Sequence, residues 1–550
     1  MSRTGNERCD ILLIGFEGQE NLGLRSISAY LDHNGITAGI APLQELTREE
    51  ILEYIRVAEP KLVGFSLIFQ RMLGDYANLI AFLRANSVNA HLTVGGHYPT
   101  FEYEFMLESI PGLDTVVRHE GEETLLELYR NLHRPDRWPE IMGIAFRKNG
   151  RVIATPKRPL IADLDLLPFP ARKADGASHR GIGIRSIAGS RGCYYDCSFC
   201  SIHEFYRRSG PTRRSRSPRH IVQEMKALFD DMGVRIFIFQ DDDFFMPGKI
   251  NRQKQDALLD ELESAGLHDQ ILWRVSCRVD DIDERLLRKM KRYGLASVYL
   301  GIESGSEQGL KTFNKRYKGV DVCNALSVLR EIDMPFEFGF MMFEPYSTHQ
   351  TVRDNIDFLK RMGEYSDALV HFCKMSPYAG TAIARRLIQE GRLQGTAACP
   401  DYRFQDPRLD LLQTFFAQTF NFRNFDDHGL VERLRFAKFD ATVVEKFFAG
   451  RFDAAAYRSR VRELIRACNE SALETMSMAA AFMESHSLQE VIDNWNIFED
   501  LHLNEKYTEQ VISKALDALL HEFCLETSPG KIQASLASWP PLDRQAPVCL

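Results

Sequence analysis

Cys193, Cys197 and Cys200 stand in Gly-Ser-Arg-Gly-Cys-Tyr-Tyr-Asp-Cys-Ser-Phe-Cys, directly after the largely apolar run from Ile182 to Ala188. Few features constrain a chain of this length as tightly. An apolar run of this kind reads as a buried strand, so the three thiols fall on a loop at its carboxyl end. They are too many for ordinary packing and one too few to ligate every iron of a four-iron cluster, for which soft sulfur is the preferred donor. With three irons held, the fourth is left open for an exogenous ligand. The competing reading is a zinc knuckle completed by His203, three residues after Cys200. A disulfide framework does not fit: the 11 cysteines are scattered through 550 residues, as expected in a reducing compartment.

Length allows two to four domains. A hydrophobic content of 44% and a charged content of 26% are those of an ordinary globular protein. The net charge of -8 has acids and bases interspersed, which argues against a nucleic-acid partner. The densest basic patch, Arg207, Arg208, Arg213, Arg214 and Arg216, reads as an anchor for an anionic cofactor or a solvated loop. Charged residues lead from Met1 straight into the first strand with no signal-peptide pattern. The longest apolar stretches, such as Val234 to Phe239, fall far short of a membrane span. A cytoplasmic location without membrane contact is the expectation.

Residues 9–140 alternate short apolar runs (Asp10 to Phe16, Ile36 to Ala41, Lys61 to Leu67, His91 to Gly95, Leu113 to Val117) with amphipathic segments. Near-continuous apolar strands separated by helices predict a parallel sheet covered on both faces, with its ligand crevice at the strands' carboxyl ends. Those ends carry Leu22-Gly23, Val63-Gly-Phe-Ser66, Gly95-Gly-His-Tyr-Pro-Thr100 and Glu120-Gly-Glu-Glu-Thr124. The glycines also serve as ordinary turn residues. Residues 141–180 read as a linker with a small hairpin around Asn149-Gly150, ending in Ile161-Ala-Asp-Leu-Asp-Leu-Leu-Pro-Phe-Pro170, whose prolines fix an extended path.

From 181 to 395 the alternation resumes, with strands expected at Ile182–Ala188, Val234–Gln240, Leu272–Cys277, Ser297–Ile302, Glu337–Met342 and Leu369–Met375. Six such units make a partial (β/α)6 barrel, whose chemistry belongs at the carboxyl ends of the strands. There lie the cysteine loop, Asp241-Asp-Asp243, Arg278 with Asp280, Glu303-Ser304, Phe343-Glu344 and Pro377-Tyr-Ala-Gly-Thr381. Residues 396–537 lose this rhythm and read as helices, their aromatics as core. No further cysteine cluster recurs, which argues against auxiliary iron–sulfur sites. Residues 538–550 read as a disordered tail.

Together these motifs resemble the radical S-adenosylmethionine enzymes that carry a cobalamin-binding domain, the class B methyltransferase-like group. Phe199 before the last cysteine, the proline-rich linker, Gly301-Ile-Glu-Ser-Gly-Ser306, Arg216-Ser-Pro218 with Glu224, and Asn314-Lys315 carry the likeness, which spans roughly residues 9 to 395. It departs at His97, at His119 where a glycine is usual, and at Glu344-Pro-Tyr-Ser-Thr348. The resemblance implies an α/β chain: an N-terminal Rossmann-like cobalamin-binding domain, a central radical-SAM barrel and a mainly helical C-terminal domain. It implies a four-iron cluster on Cys193, Cys197 and Cys200. S-adenosylmethionine would lie against Phe199, Asp241, Asp242, Asp243, Arg278, Glu303 and Ser304. Cobalamin would lie against Gly23, Ser66, Phe69, Gln70, Gly95, Gly96, His97, Glu120 and Gly121. The first loop, Phe16-Glu-Gly-Gln-Glu-Asn21, lacks the histidine with which some relatives ligate cobalt. A small-molecule substrate and an electron donor such as flavodoxin or ferredoxin follow as partners. Methylation of an unactivated carbon is the leading expectation. The alternatives are cobalamin-assisted cyclisation or rearrangement, a radical enzyme that has lost cobalamin, and a corrin-binding sensor.

Overall fold

The computed structural model describes residues 8–18, 20–173, 176–207, 209–245, 249–365, 368–449, 453–523 and 525. The expected tail at 538–550 lies outside the described residues, as do Gln19 and Arg208. The chain divides into two compact units. The first is Met1–Met246 with Gln253–Leu267 and Ser376–Tyr402; the second is Pro247–Arg252 with His268–Met375 and Arg403–Leu550. The division passes through the span read from the sequence as one barrel.

In the first unit, strands β1 (Ile11–Gly15), β2 (Ala38–Pro42), β3 (Leu62–Ser66), β4 (His91–Gly95) and β5 (Thr115–Val117) form a parallel sheet. The hairpin β6 (Ile144–Lys148) and β7 (Arg151–Ala154) extends it antiparallel, in the order β2-β1-β3-β4-β5-β6-β7. The sequence reading put this hairpin in the linker. The structure makes it part of the sheet, because Ile144, Ala145 and Phe146 are buried and continue the core beside β5. Apolar cores cover both faces, one around Phe65, Tyr76 and Met106, the other around Leu13, Leu31 and Leu128.

The same unit holds β8 (Ser178–His179), β9 (Ile182–Ile187) and β12 (Val234–Phe239), with β9 and β12 parallel. Between them β10 (Ser190–Gly192) and β11 (Arg213–Ser215) form a two-stranded antiparallel ribbon, and the cysteine loop leaves from the end of β10. Helix Pro218–Met232 starts as its sequence dictates: Ser217 caps it, proline occupies its first turn, and Gly233 ends it in the left-handed region. The short pair β17 (Leu393–Gly395) and β18 (Pro400–Tyr402) completes the unit.

In the second unit β13 (Leu272–Cys277), β14 (Leu295–Glu303), β15 (Phe336–Phe343) and β16 (Cys373–Lys374) pair in parallel in the order β16-β15-β14-β13. The sixth barrel strand was expected over Leu369–Met375, yet only Cys373–Lys374 joins the ladder. Side chains of the C-terminal helices take the backbone groups that the ladder would have used. Asn469 accepts from Val370 N–H at 2.9 Å and donates to Ala368 O at 2.9 Å, while Arg423 donates to Val370 O at 3.0 Å. Those helices are Pro407–Phe425, Leu430–Phe447, Ala454–Ser485, Leu488–Asp493 and Asn496–Glu522. Their aromatics, including Phe415, Phe416, Phe420 and Phe498, pack on one another in a buried core. Among the described residues no helix is long and apolar enough to cross a membrane.

Candidate functional site

The cysteine loop is held from both sides. Asp241, at the end of β12, accepts from Gly189 N–H at 2.9 Å and from the Ser190 hydroxyl. Asp242 accepts from Gly192 N–H at 3.0 Å. Two of the three consecutive aspartates thus grip the backbone that leads into Cys193. Asp243 is buried and places its negative charge beside the Cys193 thiol. At the far end Cys200 N–H donates to Cys197 O at 3.1 Å, and Ser198 O, next to Phe199, accepts from Ile383 N–H at 3.0 Å. Gly192 is in the left-handed region, φ 84°, and a methyl on it would stand 1.9 Å from Thr212 O.

Burial pushes the Cys193 thiol up to about 12, with Asp243, Asp242 and Cys197 adding negative charge. Burial raises Cys200 further, and Cys197, Asp242 and Cys193 act on it in the same sense. The three thiols and these carboxylates are therefore one electrostatic group that a bound cationic centre would relieve, since metal ligation requires thiolates. Among the described residues no three His, Cys, Asp or Glu side chains are gathered to hold a single metal ion. Three soft donors on one loop do fit an iron–sulfur cluster.

Asp242 keeps solvent-accessible surface, yet the protein crowding it and the charge of Asp241 push its carboxyl up to about 6 from 3.8, against the pull of Gly192 N–H. A carboxyl raised on folding costs stability once it ionises: the cost is absent below pH 3.8, grows as pH rises, and is complete above about 6. Asp242→Asn, which keeps an acceptor for Gly192, is expected to raise the melting temperature of the cofactor-free protein at pH 7.5. The gain should vanish near pH 4, below which neither form carries the charge. Melting curves from pH 4 to 8 test this, and parallel profiles for both proteins would reject it.

The strand ends of the first sheet are largely occupied by the protein itself. Gly23 is exposed in the first turn of helix Leu22–His33, which Asn21 caps. The Asn21 amide lies 3.5 Å from Ser66 Oγ. Phe69 meets Phe16 edge-on, their centroids 6.0 Å apart. Gln70 is buried and spends both ends of its amide on backbone, donating to Ala397 O at 2.5 Å and accepting from Ala379 N–H at 2.9 Å. Gly95 O accepts from Leu67 N–H at 2.9 Å. At Gly96, φ 115°, a methyl would stand 2.5 Å from Leu67 O, so only glycine lets the two loops pass. The His97 ring packs edge-on against Phe205 at 4.5 Å, and burial lowers its pKa to about 4. His119, also left-handed at φ 64°, pairs its Nδ1 with Phe205 O at 2.8 Å. Both histidines therefore face the helix that follows the cysteine loop, Ile202–Tyr206. Gly121 is buried and opens helix Glu122–Arg130.

Glu120 is engaged on every side: Arg191 at 2.9 Å, Arg214 at 2.9 and 3.0 Å, and Ile161 N–H at 3.0 Å. A second buried network escaped the sequence reading. Glu17 pairs with Arg25 at 2.5 Å. Glu20 pairs with Arg172 at 3.0 Å and accepts from Ser186 N–H at 2.6 Å. Glu224 takes Arg172 and Arg216, each at 2.5 Å. The first loop is thereby fastened to the linker and to β9.

In the second unit Glu303 ends β14 with a left-handed backbone, φ 68°, and pairs with Lys315 at 3.4 Å. Its carboxylate lies over Gly301 and Gly339, whose missing side chains leave the room. Ser304 donates to Asn355 Oδ1 at 3.0 Å, which also receives Gly305 and Ser306 N–H. Arg278 forks onto Asp280 and donates to Lys315 O at 2.5 Å. Glu344 accepts from Tyr346 N–H at 2.8 Å, folding back the loop that departs from the family pattern.

Comparison with known proteins agrees with this order of parts. Residues 16–129 match the B12 binding domain, and residues 187–359 match the radical SAM superfamily. The chain thus carries a B12-binding domain at its front and a radical SAM domain after it. It is 28% identical over 355 residues to an uncharacterized methyltransferase of Pyrococcus horikoshii, covering 63% of this chain and 74% of that one. It is 27% identical over 370 residues to an anaerobic magnesium-protoporphyrin IX monomethyl ester cyclase of Cereibacter sphaeroides, covering 66% and 58%. Among solved structures it resembles the cobalamin-dependent S-adenosylmethionine radical enzyme OxsB with aqua-cobalamin and S-adenosylmethionine bound, at TM-score 0.68 and 16% identity over 96% of this chain and 82% of that one. That likeness establishes the fold: a cobalamin-binding domain, a radical-SAM half-barrel and a helical C-terminal part. The radical SAM domain brings a four-iron cluster and S-adenosylmethionine with it, and the front domain brings cobalamin.

Proposed function

We propose that this chain is a cytoplasmic, cobalamin-dependent radical SAM methyltransferase that acts on an unactivated carbon of a small natural-product precursor. The observation that supports it most is the attachment of the cysteine loop to the front domain through Arg191 and Glu120. It brings the loop proposed for the cluster against the domain that matches the B12 family. The methyltransferase name of one relative favours methyl transfer; the cyclase name of the other supports cyclisation as the second reading.

In this reading Cys193, Cys197 and Cys200 hold the cluster, and Asp242 or Asp243 meets the cosubstrate's ammonium, because an ammonium leaving water needs a compensating carboxylate. Glu303, Ser304 and Arg278 contact the rest of S-adenosylmethionine. Gly23, Ser66, Phe69, Gly95, Gly96, His97 and Gly121 border the corrin, while Gln70 and Glu120 serve it by holding loops in place. When bound, the cofactors supply hydrogen abstraction from carbon and a methyl carrier; the protein's share is alignment and exclusion of water. An external flavodoxin or ferredoxin supplies the electron.

Methyl transfer consumes S-adenosylmethionine twice, once as methyl donor and once in hydrogen abstraction. Turnover with the true substrate is expected to give S-adenosylhomocysteine and 5′-deoxyadenosine in equal amounts, with a labelled methyl group recovered in product. If 5′-deoxyadenosine appears without S-adenosylhomocysteine, the cyclase reading replaces this one. Mass analysis of anaerobic reactions with candidate precursors makes the distinction.

A further inference from the structure

The β10–β11 ribbon sets Arg191 directly opposite Arg214. Like charges facing each other across paired strands repel, and both guanidiniums are largely withdrawn from water. Glu120 lies against both of them, forked by Arg214 at 2.9 and 3.0 Å and met by Arg191 at 2.9 Å. The other terminal nitrogen of Arg191 reaches Glu122 at 2.6 Å and Ser26 at 3.0 Å. Two cations are thus balanced by two carboxylates. In such a buried set, loss of one partner leaves an uncompensated charge that the remaining groups move to relieve. Whatever moves Arg191 moves Cys193, two residues on.

We propose that Glu120 is a positioning residue for the cysteine loop: its carboxylate, together with that of Glu122, neutralises the Arg191–Arg214 pair and so fixes where Cys193 stands relative to Cys197 and Cys200. The role differs from the corrin contact that the family resemblance implies for this residue. It places control of the cluster loop in the front domain, about 70 residues upstream in the chain.

The proposal rests on the reading of Cys193, Cys197 and Cys200 as cluster ligands, and the two can fail separately. The first measurement is amide exchange across residues 189–200 in the full-length protein before iron is added. Glu120→Gln is expected to speed that exchange about tenfold relative to the rest of the chain. After anaerobic reconstitution, the same variant should hold less than about half the wild-type iron and give a broadened electron paramagnetic resonance signal from the reduced cluster. Glu120→Gln combined with Arg214→Met removes the excess charge and should restore slow exchange and the narrow signal, a coupling that a double-mutant cycle isolates. If the single variant does not fold, Arg191→Lys, which keeps the charge and loses the guanidinium bridge from Glu120 to Glu122, carries the comparison. Wild-type exchange and wild-type spectra in Glu120→Gln overturn the proposal. So does a uniform rise in exchange that the double variant leaves unrepaired, because that marks general stabilisation. If the triple cysteine variant retains its iron, the ligand assignment falls instead, with the exchange result standing on its own.

Discussion

Replacing Cys193, Cys197 and Cys200 together with alanine is expected to abolish iron loading. Reconstituted wild-type protein is expected to bind about four irons and to show thiolate-to-iron charge transfer, as clusters on cysteine do; the triple variant should show neither. The loss should not come from unfolding. The thiols are half-buried, and in the cofactor-free chain they share a crowded acidic environment with Asp242 and Asp243. Alanine removes only a half-buried sulfur at each position, so the melting temperature of the cofactor-free variant should stay close to that of wild type. Elemental analysis, absorption and a melting curve on one preparation decide the matter. Stoichiometric zinc in the wild-type protein, or iron retained by the variant, would sink the cluster assignment and with it the radical chemistry.

What could be read from the sequence was local. The cysteine loop, the strand-end glycines and the aspartate run are each contained in a few consecutive residues, and short apolar runs in a βα alternation located most strands to within a residue or two. The grips on those motifs were not legible, because their partners are far apart in the chain. Arg191 and Glu120 are 71 residues apart, Arg172 and Glu20 are 152, and Gln70 reaches Ala397 across 327. No periodicity links such pairs. A glutamate in a family motif is as compatible with a cofactor contact as with an ion pair. The sixth strand was misjudged over most of its length for a related reason. Its apolar run is strand-like, but Asn469 and Arg423, distant in sequence, occupy the backbone groups that pairing would have used. Asn469 carries no sequence signal for this, since it sits in a helix whose other buried residues are mostly apolar. What separates Asp241, Asp242 and Asp243, by contrast, lies in their immediate surroundings. Asp241 accepts from Gly189 and Ser190 and Asp242 from Gly192, while Asp243 and Asp242 both act on the Cys193 thiol.

Gly192→Ala should cost the loop its geometry, and a second glycine separates the cause. Two effects act at residue 192. A left-handed φ of 84° disfavours any residue with a Cβ by about 1 kcal/mol. In addition, the new methyl would stand 1.9 Å from Thr212 O, a contact that only backbone movement relieves. The residues that would have to move are the ribbon itself: Gly192 pairs with Arg213 across it and donates its N–H to Asp242. Opening the ribbon displaces Cys193, the next residue. Gly150, in the turn between β6 and β7, has the same strain at φ 74° with nothing within 4 Å of its Cβ position. Gly150→Ala is therefore expected to lose about 1 kcal/mol of stability and to load iron like wild type. Gly192→Ala should lose about 3 kcal/mol or more, with iron per chain falling severalfold under the same reconstitution. Denaturation of the cofactor-free proteins gives the first quantity and iron analysis the second. Equal behaviour of the two variants would mean that strain alone acts at residue 192, and that the ribbon is not what holds Cys193 in place.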